Sequence, residues 1–482
     1  MNKRLVFRTL GTLLIVEALC MLPSLLIGLF HRDGDAVFML ESMAAALAVG
    51  LPCHLLIKPD PTRNMKPKDG YIIVSLAWVV LSLFGALPLY LSGLFSNPAD
   101  AFFESVSGFT TTGSTVLTDF SQKMHGVMFW RSFTHWIGGM GVLVLTLALL
   151  PKLTGRTSWL VKAESPGPTL SKIVPKMGDS AKILYVIYGA LTLMLFISLL
   201  FAGLSPYDAA IHAVGTAGTG GFSNLGESVG GFHSAAVDII ITVFMVLFGL
   251  NFGLYFRLIT GGWRDCLKNE ELRFFMSLFV VCTLVLAFMI LPIYGTFGDA
   301  LRYASFQTAS IVSTTGFGTA DFDRWPEAAK GLIFVLMFTG ACVGSTAGGM
   351  KIQRVMLLFK AAKREVKKTF SPRSVQIVRL EGQTVDEGII HQTMVFVVVY
   401  LLLIILGTFV VALDNTHTLI ENMTAALTCV SNVGPGFGAV GPAGNFTSYS
   451  AFSKVVLSFL MLAGRLELFP ILVLFTPSAW RR

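Results

Sequence analysis

The sequence predicts an all-α polytopic membrane protein: two N-terminal spans, then four parallel repeats, each a span, a half-length helix, a Gly/Thr loop and a returning span. Three observations predict it. The chain of 482 residues is 54% hydrophobic and only 13% charged, where a soluble chain carries about 25% charged residues. Apolar runs long enough to cross a bilayer, about 20 residues each, recur throughout. Between successive pairs of runs lie four short clusters: Thr110-Thr111-Thr112-Gly113-Ser114, Thr219-Gly220-Gly221-Phe222, Ser313-Thr314-Thr315-Gly316-Phe317-Gly318 and Ser431-Asn432-Val433-Gly434-Pro435-Gly436. A large soluble enzyme on a single anchor does not fit this pattern.

The elements follow in order. Lys3, Arg4 and Arg8 precede an apolar run over 10–30, read as a retained first span because no small-x-small cleavage site follows it. A second span covers 36–57, and Pro59, Pro61 and Pro67 break the chain after it. These two spans form an N-terminal unit, 1–69. Repeat 1 occupies 70–180, with spans at 70–93 and 124–150. Its short helix starts at Asn97-Pro98, a capping residue followed by a first-turn proline. A polar loop, 152–180, closes the repeat. Repeat 2, 181–268, has spans at 182–203 and 234–260 and a short helix opening at Ser205-Pro206. Repeat 3, 269–380, has a span at 274–294, a short helix at 298–312 and a returning span from 327. Repeat 4, 381–482, has spans at 390–413 and 450–476 around a short helix at 417–430.

This arrangement gives ten spans, an even number, and places both termini on one side. The basic residues agree. With the termini inside, all of the 36 Lys and Arg lie inside except Arg32, Lys123, Arg131, Arg302, Arg324, Lys330, Lys454 and Arg465. That asymmetry is the positive-inside signature. It also accounts for the net charge of +8 without a nucleic-acid partner. Every repeat enters from inside, dips in from outside and returns inside, so the four repeats can surround one axis. The six cysteines form no Cys-x-x-Cys pair, and neither a disulfide framework nor a zinc site is indicated.

The clusters suit a cation path. Non-helical backbone at bilayer depth is tolerated only where it lines a wet cavity or is buried in protein. Four short helices would aim their partly negative C-termini at the membrane centre. Glycine lets successive carbonyls face inward, and a ring of carbonyls can replace an ion's hydration shell. The competing reading, close helix packing through small residues, explains one cluster more easily than four. The fold is therefore expected to close around a central ion pore.

On these four clusters and the two extra N-terminal spans, the whole chain resembles the Trk/Ktr/HKT superfamily of potassium transporters, most of all its bacterial Trk branch. The resemblance implies one key glycine per repeat in a potassium filter: Gly113, Gly220 or Gly221, Gly316 and Gly434. Alignment on the following Phe favours Gly221; alignment on the preceding Thr favours Gly220. With them come Thr111, Thr112, Thr219, Thr314, Thr315, Asn432 and Val433 as potassium-binding filter residues. Serine at the first glycine accompanies sodium preference in the HKT branch; Gly113 stands there, which favours potassium. The resemblance further implies a homodimer with one pore per protomer, a bacterial inner-membrane location, and regulation by a cytosolic nucleotide-binding ring of the TrkA type. No cofactor is expected in the chain itself, because its Gly-rich stretches lie within spans rather than after a soluble strand. Potassium is the permeant ligand.

The returning span of repeat 3 is interrupted by Gly340-Ala341-Cys342-Val343-Gly344-Ser345-Thr346-Ala347-Gly348-Gly349. Four glycines in ten residues make a poor helix. The segment reads as an intramembrane gate loop, with Gly340, Gly344, Ser345, Thr346, Gly348 and Gly349 as its working residues; close packing through Gly344 and Gly348 is the alternative. Arg465 lies mid-span in the last helix, at an insertion cost of about 2.5–3.5 kcal/mol. It reads as an electrostatic barrier facing the ion path, against the alternative of an Arg–carboxylate pair in the bundle.

Asp100, Glu104, Asp119, Asp208, Asp299, Asp321 and Glu421 sit near the outer ends of the short helices and could concentrate cations. For Asp100, Asp208 and Asp299, helix capping is the competing account. The inner loop from Lys351 to Arg379 is densely basic, which suits anionic lipid or the cytosolic regulator. Two other functions stand against the gated pore. A symporter coupled to protons or sodium would need a titratable residue at its midplane site; the clusters hold none, and Glu17, Glu41 and Asp238 are the candidates elsewhere. An enzyme is not expected, since no paired-carboxylate motif, metal-spaced histidines or nucleophile elbow occurs.

Overall fold

The computed structural model describes residues 3–57, 67–121, 124–141, 177–374 and 376–480. Over these the regular structure is helical apart from one small hairpin. The first span is α1 (Lys3–Cys20) and α2 (Leu22–His31), which together make a 29-residue apolar run. It begins earlier than the composition of 10–30 suggests, because the basic first turn is already helical. It packs antiparallel to α3 (Ala36–Leu55). Repeat 1 enters through α4 (Pro67–Gly85) and α5 (Leu87–Leu91) and dips through α6 (Pro98–Phe109). It returns through α7 (His125–Gly139). The rest of its expected span to 150 and most of its polar loop lie outside the described residues. Repeat 2 has α8 (Met177–Phe201), α9 (Pro206–Gly218), α10 (Ala235–Phe248), α11 (Phe252–Ile259) and α12 (Trp263–Lys268).

Repeat 3 has α13 (Glu270–Tyr294), α14 (Phe297–Val312), α15 (Glu327–Leu336) and α16 (Ile352–Phe370). A hairpin of β1 (Arg379–Leu380) and β2 (Gln383–Thr384) follows, with Leu380 paired to Gln383. Repeat 4 has α17 (Glu387–Ala412), α18 (Leu419–Ser431), α19 (Ala451–Arg465) and α20 (Phe469–Val473).

The four half-length helices α6, α9, α14 and α18 fall where the sequence places them, and local chemistry explains their starts. Asn97 Oδ1 accepts from the Ala99 N–H at 3.0 Å, Ser205 Oγ from Asp208 at 3.1 Å and Thr296 Oγ1 from Asp299 at 3.2 Å. Thr418 and Glu421 form a reciprocal capping box. From their second turn on, these helices are almost wholly buried. The entering spans bury one face only: α17 buries Ile390, Thr393, Phe396, Tyr400, Ile404, Gly407, Thr408 and Val411, while Phe409 and Leu402 face outward. Half-helices inside and half-buried long helices outside are the arrangement expected where hydrocarbon is the outer solvent.

The ten expected spans are not all single unbroken helices. Among the described residues six helices are long and apolar enough to cross a membrane, or seven if one bent pair counts as a span. The difference lies in the returning segments. The span expected over 234–260 is two helices meeting at 90°, α10 and α11. That over 450–476 stops at Arg465, and Glu467 and Leu468 take positive φ. The interruption predicted in repeat 3 is present, with residues 340–351 irregular between α15 and α16. The described returning helices α7, α10, α15 and α19 run 15, 14, 10 and 15 residues.

Candidate functional site

The four clusters share one backbone. Each half-helix ends on a residue in the left-handed region: Thr111 (φ 56°), Thr219 (55°), Thr314 (56°) and Asn432 (53°). The next residue donates its N–H back to the helix: Thr112 to Ser107 O, Gly220 to Gly215 O, Thr315 to Ser310 O and Val433 to Thr428 O, at 2.8–3.0 Å. This is a Schellman-type helix end, which normally carries glycine at the left-handed position. A β-branched threonine there is strained by about 1–2 kcal/mol, and the same strain in three repeats marks a functional position. Two residues on, φ turns positive again at Gly113 (82°), Gly221 (79°), Gly316 (80°) and Gly434 (103°).

This pattern resolves the choice between Gly220 and Gly221. Gly221 is the backbone equivalent of Gly113. Gly220 stands where Thr112, Thr315 and Val433 stand, and it lacks a side chain because the His135 ring occupies that space.

The glycines form a closed ring. A Cβ on Gly113 would overlap the Gly220 carbonyl oxygen, one on Gly221 that of Thr315, and one on Gly316 that of Val433; one on Gly434 would lie 2.7 Å from that of Thr112. Repeat 1 thus meets 2, 2 meets 3, 3 meets 4 and 4 meets 1, with backbone oxygens between the glycines at every junction. All four glycines line one cavity of about 230 Å³, walled by the loops that return from the clusters.

Side chains brace this ring from behind, and differently in each repeat. Thr110 and Ser313 pair through hydroxyls with Thr112 and Thr315, at 2.8 and 2.6 Å. In repeat 4, where Val433 offers no hydroxyl, Ser431 pairs with Tyr400 at 2.6 Å. In repeat 2, where Gly218 and Gly220 have no side chains, His135 substitutes: its Nδ1 lies 2.8 Å from Gly108 O and its Nε2 accepts the Phe222 N–H at 3.2 Å. Asn432 Nδ2 donates to Thr112 Oγ1 (2.9 Å) and Met461 O (3.0 Å), closing the seam between repeats 4 and 1.

Behind the junction of repeats 1 and 2 lies a buried ion pair. Arg131 Nε meets Glu104 Oε1 at 2.7 Å, with both side chains at most 2% exposed. Arg131 also donates to Ser223 O and Thr115 Oγ1, both at 3.0 Å, and stacks on Phe222. Glu104 is therefore a structural counter-ion and not an acid of an outer vestibule. The remaining outer acids are engaged as well. Asp100 pairs with Lys454 at 2.7 Å, Asp321 with Arg324 at 3.1 Å and Asp299 with Arg302 at 3.3 Å. Asp208 accepts from Asn224 at 2.7 Å, Glu421 from the Ala439 N–H at 2.9 Å and Asp119 from Ser121 at 2.6 Å. We predict that Arg131→Met, which strands a buried carboxylate, lowers stability by about 3–5 kcal/mol. The midpoint of thermal unfolding in detergent reads this, and Glu104→Gln combined with Arg131→Met should recover part of it.

The irregular segment of repeat 3 lies against the helix-end residues of the ring. The Gly348 N–H donates to Thr314 Oγ1 at 2.7 Å, and a Cβ on Gly348 would come within 2.8 Å of Asn432. Gly340, Gly344 and Gly349 adopt φ of 67°, 74° and 73°, which accounts for the lost helix. The segment is tied to the break in repeat 2, with Cys342 N–H to Gly249 O at 3.1 Å and Phe252 N–H to Gly344 O at 3.0 Å. Thr346 Oγ1 reaches Phe248 O at 3.3 Å, and Ser345 Oγ bonds within the loop to Cys342 O at 2.6 Å.

Arg465 completes the layer. Its guanidinium donates to Thr346 O at 2.8 Å and to Gly138 O and Gly139 O, both at 2.7 Å. It therefore joins the returning segments of repeats 1, 3 and 4. Glu467 pairs with Arg354 instead. Lys351 and Arg354, assigned from the sequence to an inner basic loop, are buried at 8% and 7% exposure. Lys351 Nζ donates to Ala347 O within the loop.

Sequence reasoning missed His135, Glu104–Arg131 and Lys351 as parts of this site. Arg131 carried a usable signal, since an arginine within a span is costly wherever it falls.

Comparison with known proteins agrees with this architecture. Residues 34–481 match the family model for TrkH, described as a cation transport protein. Over the full length of both chains, 37% of residues are identical to the Trk system potassium uptake protein TrkH of Escherichia coli K12. The Trk system potassium uptake protein TrkG of the same organism is 30% identical, over 99% of each chain. The crystal structure of the potassium transporter TrkH from Vibrio parahaemolyticus superimposes with a TM-score of 0.88 at 33% identity, covering both chains completely. The chain is a multi-pass membrane transport protein and not an enzyme; it belongs to the TrkH family of cation transport proteins.

Proposed function

We propose that this chain takes up potassium across a bacterial inner membrane through a gated, channel-like pore. The observation that carries the reading is the closed four-repeat ring of positive-φ glycines and carbonyl oxygens. A ring of this kind offers a cation backbone oxygens in place of water. The filter comprises Thr111, Thr112 and Gly113; Thr219, Gly220 and Gly221; Thr314, Thr315 and Gly316; and Asn432, Val433 and Gly434. The loop holding Gly340, Gly344, Ser345, Thr346, Gly348 and Gly349 is the gate, and Arg465 is the electrostatic barrier beside it. The chain works as a homodimer with one pore per protomer. A cytosolic nucleotide-binding ring of the TrkA type docks on the inner face of α16, which carries exposed Phe359, Val366 and Phe370 beside exposed Lys363 and Lys367.

Proteoliposomes loaded with potassium, without a proton or sodium gradient, test the reading. Rubidium uptake driven by the potassium gradient alone, blocked better by external potassium than by sodium, is the expected result. Uptake that appears only with an imposed proton or sodium gradient would establish the symporter instead.

A further inference from the structure

One of the groups that hold the gate loop is a buried carboxylate. Glu271, in the first turn of α13 and 6% exposed, accepts the Val343 N–H on Oε1 at 2.7 Å. Val343 lies at the centre of the loop, next to Cys342, whose own N–H is tied to repeat 2. A backbone N–H donated to a carboxylate oxygen is among the stronger hydrogen bonds a loop can make.

The same turn of α13 is gripped from the cytosolic side. Glu381, in the turn of the β1–β2 hairpin, accepts the N–H groups of Glu270 at 2.8 Å and Glu271 at 3.2 Å on one oxygen. The helix already has its own cap, Asn269, which accepts from Leu272 at 2.8 Å. Glu381 is thus a second cap delivered from 111 residues away along the chain. A carboxylate at a helix N-terminus is favourable, and the nearby Glu270 carboxylate is paired with Lys360. Glu381 achieves this in the left-handed region, at φ 51°, ahead of Gly382 at φ 75°. A Glu in that place is strained, where Asn or Asp would suit the turn. Strain at an exposed hairpin turn that spends its side chain on another element is the mark of a held contact.

We infer that Glu271 is a positioning residue that latches the gate loop shut, and that the 379–384 hairpin sets this latch through Glu381. A protein that displaces the hairpin from the cytosol would shift the first turn of α13, draw Glu271 from Val343 and free the loop. The inference rests on the gate reading of the loop, and it adds the handle by which that loop is moved.

The test uses the full-length chain in proteoliposomes with Cys20, Cys53, Cys266, Cys282 and Cys429 replaced by Ala. Cys342 is then the one thiol, and it is fully buried. Its labelling by a charged methanethiosulfonate reagent reports loop opening without reference to flux. Glu271→Ala should speed labelling by about tenfold or more, and should raise the regulator-free rubidium leak alongside. Glu271→Gln, which keeps an oxygen for Val343, should stay within about threefold of the parent. Glu381→Ala, an exposed change that leaves the buried carboxylate in place, should speed labelling by an intermediate factor. Parent-like labelling in Glu271→Ala would overturn the latch, and parent-like labelling in Glu381→Ala would overturn the role of the hairpin. If Glu271→Ala does not fold, Glu271→Met, which fills the same space without an acceptor for the Val343 N–H, decides the latch, and Glu381→Ala decides the hairpin. Accelerated labelling with no gradient-driven flux in any variant would leave the latch standing and overturn the pore.

Discussion

Gly316→Ala is expected to abolish potassium-selective rubidium flux while leaving a folded protein. Two costs coincide at this position. An L-residue at φ 80° is strained by about 1–2 kcal/mol. The new methyl would also overlap the Val433 carbonyl oxygen and press on Pro435. That oxygen lies in the Val433–Gly434 peptide, whose neighbouring Asn432–Val433 peptide is anchored by the Val433 N–H to Thr428 O at 3.0 Å, so it yields only by turning its own peptide out of the ring. The ring must therefore open at the junction of repeats 3 and 4. A displacement costing about 1.4 kcal/mol already changes an equilibrium tenfold, so a loss of flux of at least about tenfold is the minimum expected. Rubidium uptake with potassium and sodium competition measures it, and size-exclusion elution checks the fold. Wild-type flux and selectivity in Gly316→Ala would remove this ring from the ion path.

Arg465→Ala is expected to do the opposite and raise flux. The guanidinium is a fixed positive charge a short way from the ring. At an effective dielectric of about 20, a unit charge opposes a passing cation by several kcal/mol at close approach, so at least about a tenfold gain is expected. The same side chain clamps the irregular loop of repeat 3 through Thr346 O and braces it against Gly138 O and Gly139 O. Arg465→Lys separates the two effects. Lysine keeps the charge but cannot span three carbonyls with one planar group. Flux near the wild-type level in Arg465→Lys would assign the effect to charge; flux near that of Arg465→Ala would assign it to the clamp. No change in either variant, at equal protein, would sink the barrier reading.

Much of the fold was legible because hydrocarbon constrains a chain simply. The long apolar runs had to be helices. The half-length helices announced themselves through Asn97-Pro98, Ser205-Pro206 and their equivalents, since capping is a local matter. The clusters were legible as interruptions of the helical pattern because glycine beside threonine breaks it locally. The loop of repeat 3 was visible through its four glycines. The matching breaks in repeats 2 and 4 were not, because Gly249-Leu250-Asn251 and Leu466-Glu467-Leu468 sit in runs apolar enough to pass as continuous spans. Glu104 was misread as an outer acid because its partner, Arg131, is 27 residues away and on another helix.

By itself, then, the sequence determined the membrane class, the four-fold repetition and the identity of the residues at each half-helix end. These follow from hydropathy, charge placement and local backbone chemistry, which act over a few residues. Only the tertiary structure decided that Gly221 and not Gly220 is the equivalent of Gly113, and that the Asn432 side chain seals repeat 4 to repeat 1. It alone placed Arg465 on the carbonyls of Gly138, Gly139 and Thr346, and Glu271 on the amide of Val343. Those assignments are contacts between segments tens to hundreds of residues apart. A buried polar group bonds to whatever donor or acceptor the packed repeats bring to it, and no local pattern carries that information.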